Sequence, residues 1–242
     1  MNKYSVVTVT FNSEKALPRT IDSVLGQAVL PFEYIFVDGG SQDKTLEIIK
    51  SYDFISKGIK TIIQEQKERN GIFGAINQGI QAASGDVIFI LHSDDWLEPD
   101  AAEAVLAKFA KEPDCDIVRS SAYIHSFDGK KYLKHQRSFL LFPFLMPVIH
   151  PGAFVHRKAY EKYGLYDEKF RISSDYEFFY RIYKVGAKFC EIRKPLVNVQ
   201  LGGYANTHRE QARKETLEIA IRHARFSLLP WIAYFSRKIT GR

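Results

Sequence analysis

Apolar positions in the first hundred residues follow two alternating rhythms. Tyr4 to Thr10 (YSVVTVT), Phe32 to Val37 (FEYIFV), Ile59 to Gln64 and Val87 to Leu91 (VIFIL) are short runs rich in β-branched and aromatic residues. Such runs read as strands, and VIFIL as a central strand covered on both faces. Between them the apolar residues recur at helical spacing: Leu17, Ile21, Val24 and Leu25, then Thr45 to Tyr52, then Ile72, Ile76, Gly79 and Ile80 within Gly71 to Ala83. Asn12 or Ser13 can take the free N–H groups at the start of the first of these helices. Strand and helix alternate with short connections, which predicts right-handed βαβ units, a parallel sheet and a Rossmann-like half.

The second half changes character. Trp96 to Asp100 reads as the opening of a helix, and Asp116 to Ser121 as a strand. Tyr123 to Phe127 and Lys130 to Leu133 form a hairpin closed by Asp128-Gly129. Phe139 to Ile149 is apolar but broken by Pro143 and Pro147, so it is an irregular segment: a lid on the sheet or a greasy wall of an acceptor site. A short strand, Ala153 to His156, precedes a helix opened by Ser173 or Ser174. Phe189 to Ile192 and Leu196 to Leu201 read as two late strands. After Gly202-Gly203-Tyr204 come a long helix, Asn206 to Ser227, and an apolar, aromatic patch, Leu228 to Phe235.

With 242 residues, 45% of them hydrophobic, the chain can bury a substantial core. Its two cysteines, Cys115 and Cys190, offer no disulfide framework or zinc spacing and read as reduced core residues. The net charge is +6, and its placement matters more than its size: from His208 onward eight Lys or Arg face three acids. A basic tail suits nucleic acid or an anionic membrane surface. No nucleic-acid motif accompanies it, and the aromatic patch with Arg237 and Lys238 behind it suits a membrane interface. No apolar run reaches the roughly 20 residues of a span, and no leader precedes the first strand. The expected location is cytoplasmic, peripheral on the inner face of the membrane.

Candidate chemistry collects where strands end. Asp38 follows the second strand, and Asp94 and Asp95 follow the fourth. Parallel neighbours place such ends on one edge, where open α/β sheets bind ligands. Neither a dinucleotide-binding glycine pattern nor a phosphate-binding Gly-Lys-Ser/Thr loop is present. A carboxylate-rich site binds diphosphate poorly on its own, and a divalent cation held by Asp95 would bridge the two. Asp175 sits in the first turn of its helix, where the dipole stabilises an acid whatever else it does.

Five stretches in order carry a resemblance: SVVTVTFN (Ser5 to Asn12), IDSVLGQ (Ile21 to Gln27), FVDGGSQDKT (Phe36 to Thr45), GIFGAINQGIQAASGDVIFILHSDDW (Gly71 to Trp96) and GLYDEKFRISSDYEFFYRI (Gly164 to Ile182). Together they resemble a family 2 glycosyltransferase of the inverting, bacterial surface-glycan type. The resemblance implies an α/β class, Rossmann-like GT-A fold with a mixed, mostly parallel sheet and a C-terminal helical extension. Residues 1–203 would form the catalytic domain, 1–100 its nucleotide-sugar half and 101–203 its acceptor half, with 204–242 a basic amphipathic tail. Thr10 and Asn12 would lie by the nucleoside, Asp38 would bond the base, and Asp94 would contact ribose or sugar. Asp95 would bind Mn²⁺ or Mg²⁺, with His208 as a second candidate ligand; Asp175 would be the general base, and His150 would line the acceptor side. The chain departs from many relatives at His92, where they carry an acid, and at Gly74 and Ile76, where others carry an acid or an Arg.

The expected activity is metal-dependent, inverting transfer of a sugar from a nucleotide-sugar donor, in particular a UDP-sugar, to a saccharide acceptor. A lipid-linked acceptor in polysaccharide or glycan assembly fits the tail. A nucleotidyltransferase would need a Gly-rich basic loop after the first strand, and FNSEKALPR is not one. A non-catalytic nucleotide-sugar-binding module would not need Asp38, Asp94, Asp95 and Asp175 together.

Overall fold

The computed structural model describes residues 2–68, 70–202, 208–223 and 228–240. Strands β1 (Tyr4–Thr10), β2 (Glu33–Asp38), β3 (Lys60–Glu65) and β4 (Val87–Ile90) run parallel in the order β3-β2-β1-β4. Alternate residues of each strand point to opposite faces, and the two faces fill differently. Tyr4, Val6, Tyr34 and Phe36 meet helix α1 (Leu17–Leu25) and helix α2 (Thr45–Ser51). Val7, Val9, Ile35 and Val37 meet helix α3 (Ile72–Ala82). The α3 backbone lies so close to β1 that a Cβ built on Gly79 would fall 2.3 Å from Val7 Cγ1.

The remaining strands extend the sheet beyond β4 as β8-β6-β9-β5, with β7 paired to β6, giving nine among the described residues. These are β5 (Trp96–Leu97), β6 (Ile117–His125), β7 (Lys131–Lys134), β8 (Ala153–His156) and β9 (Phe189–Gln200). β6 and β9 pair in parallel; β4–β8, β6–β8, β6–β7 and β5–β9 are antiparallel. The sheet is therefore mixed, with a parallel half that matches the sequence reading.

Three local expectations change. Trp96-Leu97 is not a helix opening but a short strand on β9, and helix α4 begins later, at Ala101–Lys111. The two late strands are one: β9 runs through Pro195, where its register with β6 shifts. A proline cannot donate to a ladder, and such irregularities are where strands accommodate one. Cys115 and Cys190 form a disulfide across 75 positions, where reduced core residues were expected; the neighbouring strands β6 and β9 bring them together.

The irregular apolar segment is irregular, with only a 3-10 turn at Phe139–Leu141 before the turn at His150–Gly152, and it buries Phe142, Val148 and Ile149. Helix α5 (Arg157–Tyr163) follows β8, and helix α6 (Ser174–Lys184) crosses the α3 face of the sheet, burying Tyr176, Phe178, Phe179 and Ile182. Helix α7 (Arg209–His223) joins the same core through Ile219 and Ala220. Helix α8 (Leu228–Thr240) packs back through Pro230, Ala233 and Tyr234 against Pro143, Phe144 and α7. The expected boundary at residue 203, the segment Gly203 to Thr207 and the end of the expected long helix lie outside the described residues. No described helix is long and apolar enough to cross a membrane.

Candidate functional site

The carboxyl ends of β1, β2 and β4 meet on one edge, and side chains tie them together. Thr10 Oγ1 donates to Asp38 Oδ1 at 2.8 Å, joining β1 to β2. Asp38 also takes Ser41 Oγ on Oδ1 at 2.6 Å, and the N–H groups of Gly40 (3.0 Å) and Ser41 (2.8 Å) on Oδ2. An ionised carboxylate has about four acceptor positions, so Asp38 spends its capacity on shaping its own loop. Asn12, next to it, adopts φ 49°, a left-handed conformation that Asn tolerates better than most residues. Its N–H donates to Ser41 Oγ and its Oδ1 accepts from Gln42 N–H, so the β1 and β2 loops form one floor.

The turn after β4 is fixed from α1. Thr20 Oγ1 bonds the carbonyls of Ser93 and Asp95, at 3.0 and 2.7 Å, and Ser13 Oγ meets Ser93 Oγ at 2.8 Å. The adjacent acids end in different surroundings. Asp94 is half-buried, whereas Asp95 is buried and its Oδ1 accepts the N–H of Gln200 at 3.0 Å. Burial, then the charge of Asp94, push the Asp95 carboxyl well above the usual range; the Gln200 N–H and Arg19 oppose this only in part. Arg19 donates to the Asp94 carbonyl and lies 3.5 Å from the centre of the Trp96 ring. Nothing in the sequence pattern set Arg19 apart, because its place depends on how α1 packs beside β5.

A buried polar line leads from this turn to the second half. His92 Nε2 lies 3.3 Å from His150 Nδ1, and His150 Nε2 lies 3.1 Å from the Tyr166 hydroxyl. Burial holds both imidazoles below their ordinary range, His150 the further of the two, and so favours their neutral forms. The Tyr166 hydroxyl in turn feels the charge of Asp175. His150 is thus a buried link in this line. Asp175, half-buried at the start of α6, accepts the Tyr176 N–H at 2.8 Å. Burial pushes its carboxyl up to about 7; Glu215 adds to the rise and Lys134 opposes it.

His208 is exposed just ahead of α7, and among the described residues no three His, Cys, Asp or Glu side chains gather as a metal site. Asp94 and Asp95 are two adjacent carboxylates at this edge, one half-buried and one buried.

The glycosyl transferase family 2 profile matches residues 5–187. A PGL/p-HBAD biosynthesis glycosyltransferase of Mycobacterium tuberculosis (strain ATCC 25177 / H37Ra) is 28% identical over 207 residues, 84% of this chain and 79% of that protein. Among solved structures, S. aureus TarS 1-349 in complex with UDP superposes with a TM-score of 0.71 at 16% identity, over 98% of this chain and 72% of that one. Against a longer TarS chain the present one spans 41% of the length. The mannosyltransferase PcManGT from Pyrobaculum calidifontis, in complex with GDP-Man and Mn²⁺, gives 0.71 at 14% identity, over 100% of this chain and 76% of that one.

Proposed function

This chain belongs to glycosyl transferase family 2 and has the GT-A fold, and on that premise we propose that it is a metal-dependent, inverting enzyme using a UDP-sugar. It is a glycosyltransferase of the nucleotide-sugar-dependent kind. The observation that carries the finer reading is the shared edge at which Thr10, Asn12 and Asp38 meet the Asp94–Asp95 turn, which Ser13 ties to the β1 loop through Ser93 and from which His92 and His150 run on to Tyr166.

In this reading the floor made by Thr10, Asn12 and Asp38 receives the nucleoside, and Asp94 the ribose or sugar. Asp95 holds Mn²⁺ or Mg²⁺ with the donor diphosphate. The residues fit a cation: the two adjacent carboxylates, one of them buried, have Arg19 as nearby positive charge, and it offsets their repulsion and the burial only in part. When bound, the cation neutralises the charge that develops on the departing diphosphate. Asp175 takes the proton of the acceptor hydroxyl as that oxygen bonds the anomeric carbon and the bond to the diphosphate breaks. A carboxylate whose affinity for protons is raised to about 7 is a stronger base than an ordinary Asp and still ionised in part at neutral pH.

The neighbour with UDP supports a uridine donor, and the neighbour with Mn²⁺ supports a divalent cation. The acceptor is a saccharide, lipid-linked in the fullest form of the proposal, with residues 1–100 serving the donor and 101–203 the acceptor. The exposed apolar face of α8 supports a peripheral position on the inner face of the membrane. The test is calorimetry with UDP, GDP, CMP and dTDP, each with and without Mn²⁺. Mn²⁺-dependent binding of UDP alone is expected; metal-independent binding would undo the metal assignment, and preference for another nucleotide the uridine assignment.

A further inference from the structure

Glu215, in the middle of α7, is buried at 9% exposure, yet no Lys, Arg or His pairs with it among the described residues. Its carboxylate is turned onto backbone instead. Oε1 accepts from Arg171 N–H at 3.2 Å, and Oε2 from Ile172 N–H at 2.9 Å and Ser173 N–H at 2.8 Å. Gln211 Nε2, one turn earlier on α7, donates to Oε1 at 2.9 Å and holds the carboxylate in place. The three N–H groups belong to the residues that lead directly into α6, and Asp175 follows two positions later. Ser173, at the head of α6, makes no side-chain bond to cap its own helix. Its hydroxyl faces α7 instead, 3.4 Å from the Ala212 carbonyl.

We propose that Glu215 is a positioning residue for sugar transfer: from the C-terminal helix it clamps the three residues ahead of α6 and so fixes where Asp175 presents its carboxylate. The inference rests on the reading of Asp175 as the base. A carboxylate accepting three backbone N–H groups is a strong, directional anchor, because bonds to an ionised acceptor are about twice as strong as neutral ones. It also bears on the charge state of Asp175. The groups that bear on Asp175 are Glu215 from α7, Lys134 from β7 and Tyr166 ahead of α6. The Glu215 charge favours the protonated form of Asp175, adding to the larger effect of burial, so the side chain that clamps the α6 lead-in also bears on the acid it positions. Residues beyond 203 thereby enter the working of the site.

The experiment is a carboxyl ¹³C NMR titration of the full chain labelled at aspartate, run on the native protein, Glu215→Gln and Glu215→Ala. The Asp175 signal is identified by its loss in Asp175→Asn. Glu215→Gln keeps the size and one acceptor oxygen, so it carries the test if the alanine variant fails to fold. The Asp175 midpoint is expected to move to lower pH in Glu215→Gln. The amides of Arg171, Ile172 and Ser173 are expected to exchange roughly tenfold faster or more. A midpoint that stays in place in folded Glu215→Gln overturns the proposal whether or not amide exchange changes, because a merely structural latch would alter exchange and melting temperature and leave the midpoint alone. The base reading fails separately, through near-native release of nucleoside diphosphate by Asp175→Asn with the donor selected by the calorimetric screen.

Discussion

Asp95 Oδ1 accepts the backbone N–H of Gln200 at 3.0 Å, which fastens the acidic turn after β4 to the last residue of β9. The bond holds one carboxylate oxygen inward while Asp94, its neighbour in sequence, stays half-buried. Asp95→Asn keeps an oxygen for Gln200 and removes the charge. The expected result is loss of the Mn²⁺-dependent part of UDP binding with the fold intact, read by calorimetry beside circular dichroism. Unchanged affinity for UDP in the presence of Mn²⁺ would take Asp95 out of the metal site.

Asp175 gives a prediction with a definite sign. Its proton affinity in the folded protein is raised, to about 7, by burial first and then by Glu215. Transfer needs the ionised form, so kcat/KM should rise with pH and level off above an acid limb near pH 7. Asp175→Asn should lose about 10²-fold or more in turnover while donor KM holds. Stability runs the other way. A carboxyl that binds its proton more tightly when folded contributes most below its unfolded value, near 4, and that contribution is lost as pH rises through about 7. Asp175→Asn should therefore be more stable than the native protein at pH 8, by on the order of 1 kcal/mol or more, and no more stable at pH 4. Equal melting curves at pH 8 would mean that the site does not disfavour the charged form.

What could be read from the sequence, and what could not, follows the range of the forces involved. The β1-to-β4 half was legible because local period and short connections decide it, and Asp38, Asp94 and Asp95 were legible because their strand ends must share an edge. Trp96-Leu97 misled because an aromatic and a leucine ahead of Glu98-Pro99 look like a helix start, whereas the pairing that makes them a strand is with Val197 and Asn198. Phe189 to Ile192 and Leu196 to Leu201 look like two strands, whereas the register shift that lets β9 run on through Pro195 is set against β6. Arg19 and Glu215 carried no signal, and His92 stood out only as a departure from relatives, since each acts through partners brought together only by the tertiary fold.

The contact of Gly79 with β1 tests whether the site edge depends on the close seating of α3. A Cβ at this position would lie 2.3 Å from Val7 Cγ1, so Gly79→Ala must push α3 outward or twist Val7 from its rotamer. Overpacking of this kind costs about 1–3 kcal/mol, more than the helix propensity gained. Urea unfolding should show a lower midpoint, and Val7→Ala in the same chain should recover part of the loss, because the methyl that clashes is gone. Additive losses in the double variant would place the strain elsewhere.

The last helix divides its residues between protein and solvent. Pro230, Ala233 and Tyr234 face α7 and the Pro143–Phe144 segment, while Leu228, Trp231, Ile232 and Phe235 are 74%, 43%, 62% and 52% exposed. Trp231 and Phe235 stack on each other at 5.9 Å, so they form a continuous apolar surface with cations following at Arg237 and Lys238 in the sequence. Helices of this composition lie in the membrane interface, with apolar burial and attraction to anionic lipid acting together. Trp231→Ser with Phe235→Ser removes the apolar part and, apart from their edge contacts with Tyr234, spares the face packed on α7. Sedimentation with phosphatidylglycerol vesicles should weaken roughly tenfold or more, at an unchanged melting temperature. Native binding should fall with added salt, as the cationic part requires. Full vesicle binding by the double variant would mean that α8 meets solvent, or another protein, rather than lipid.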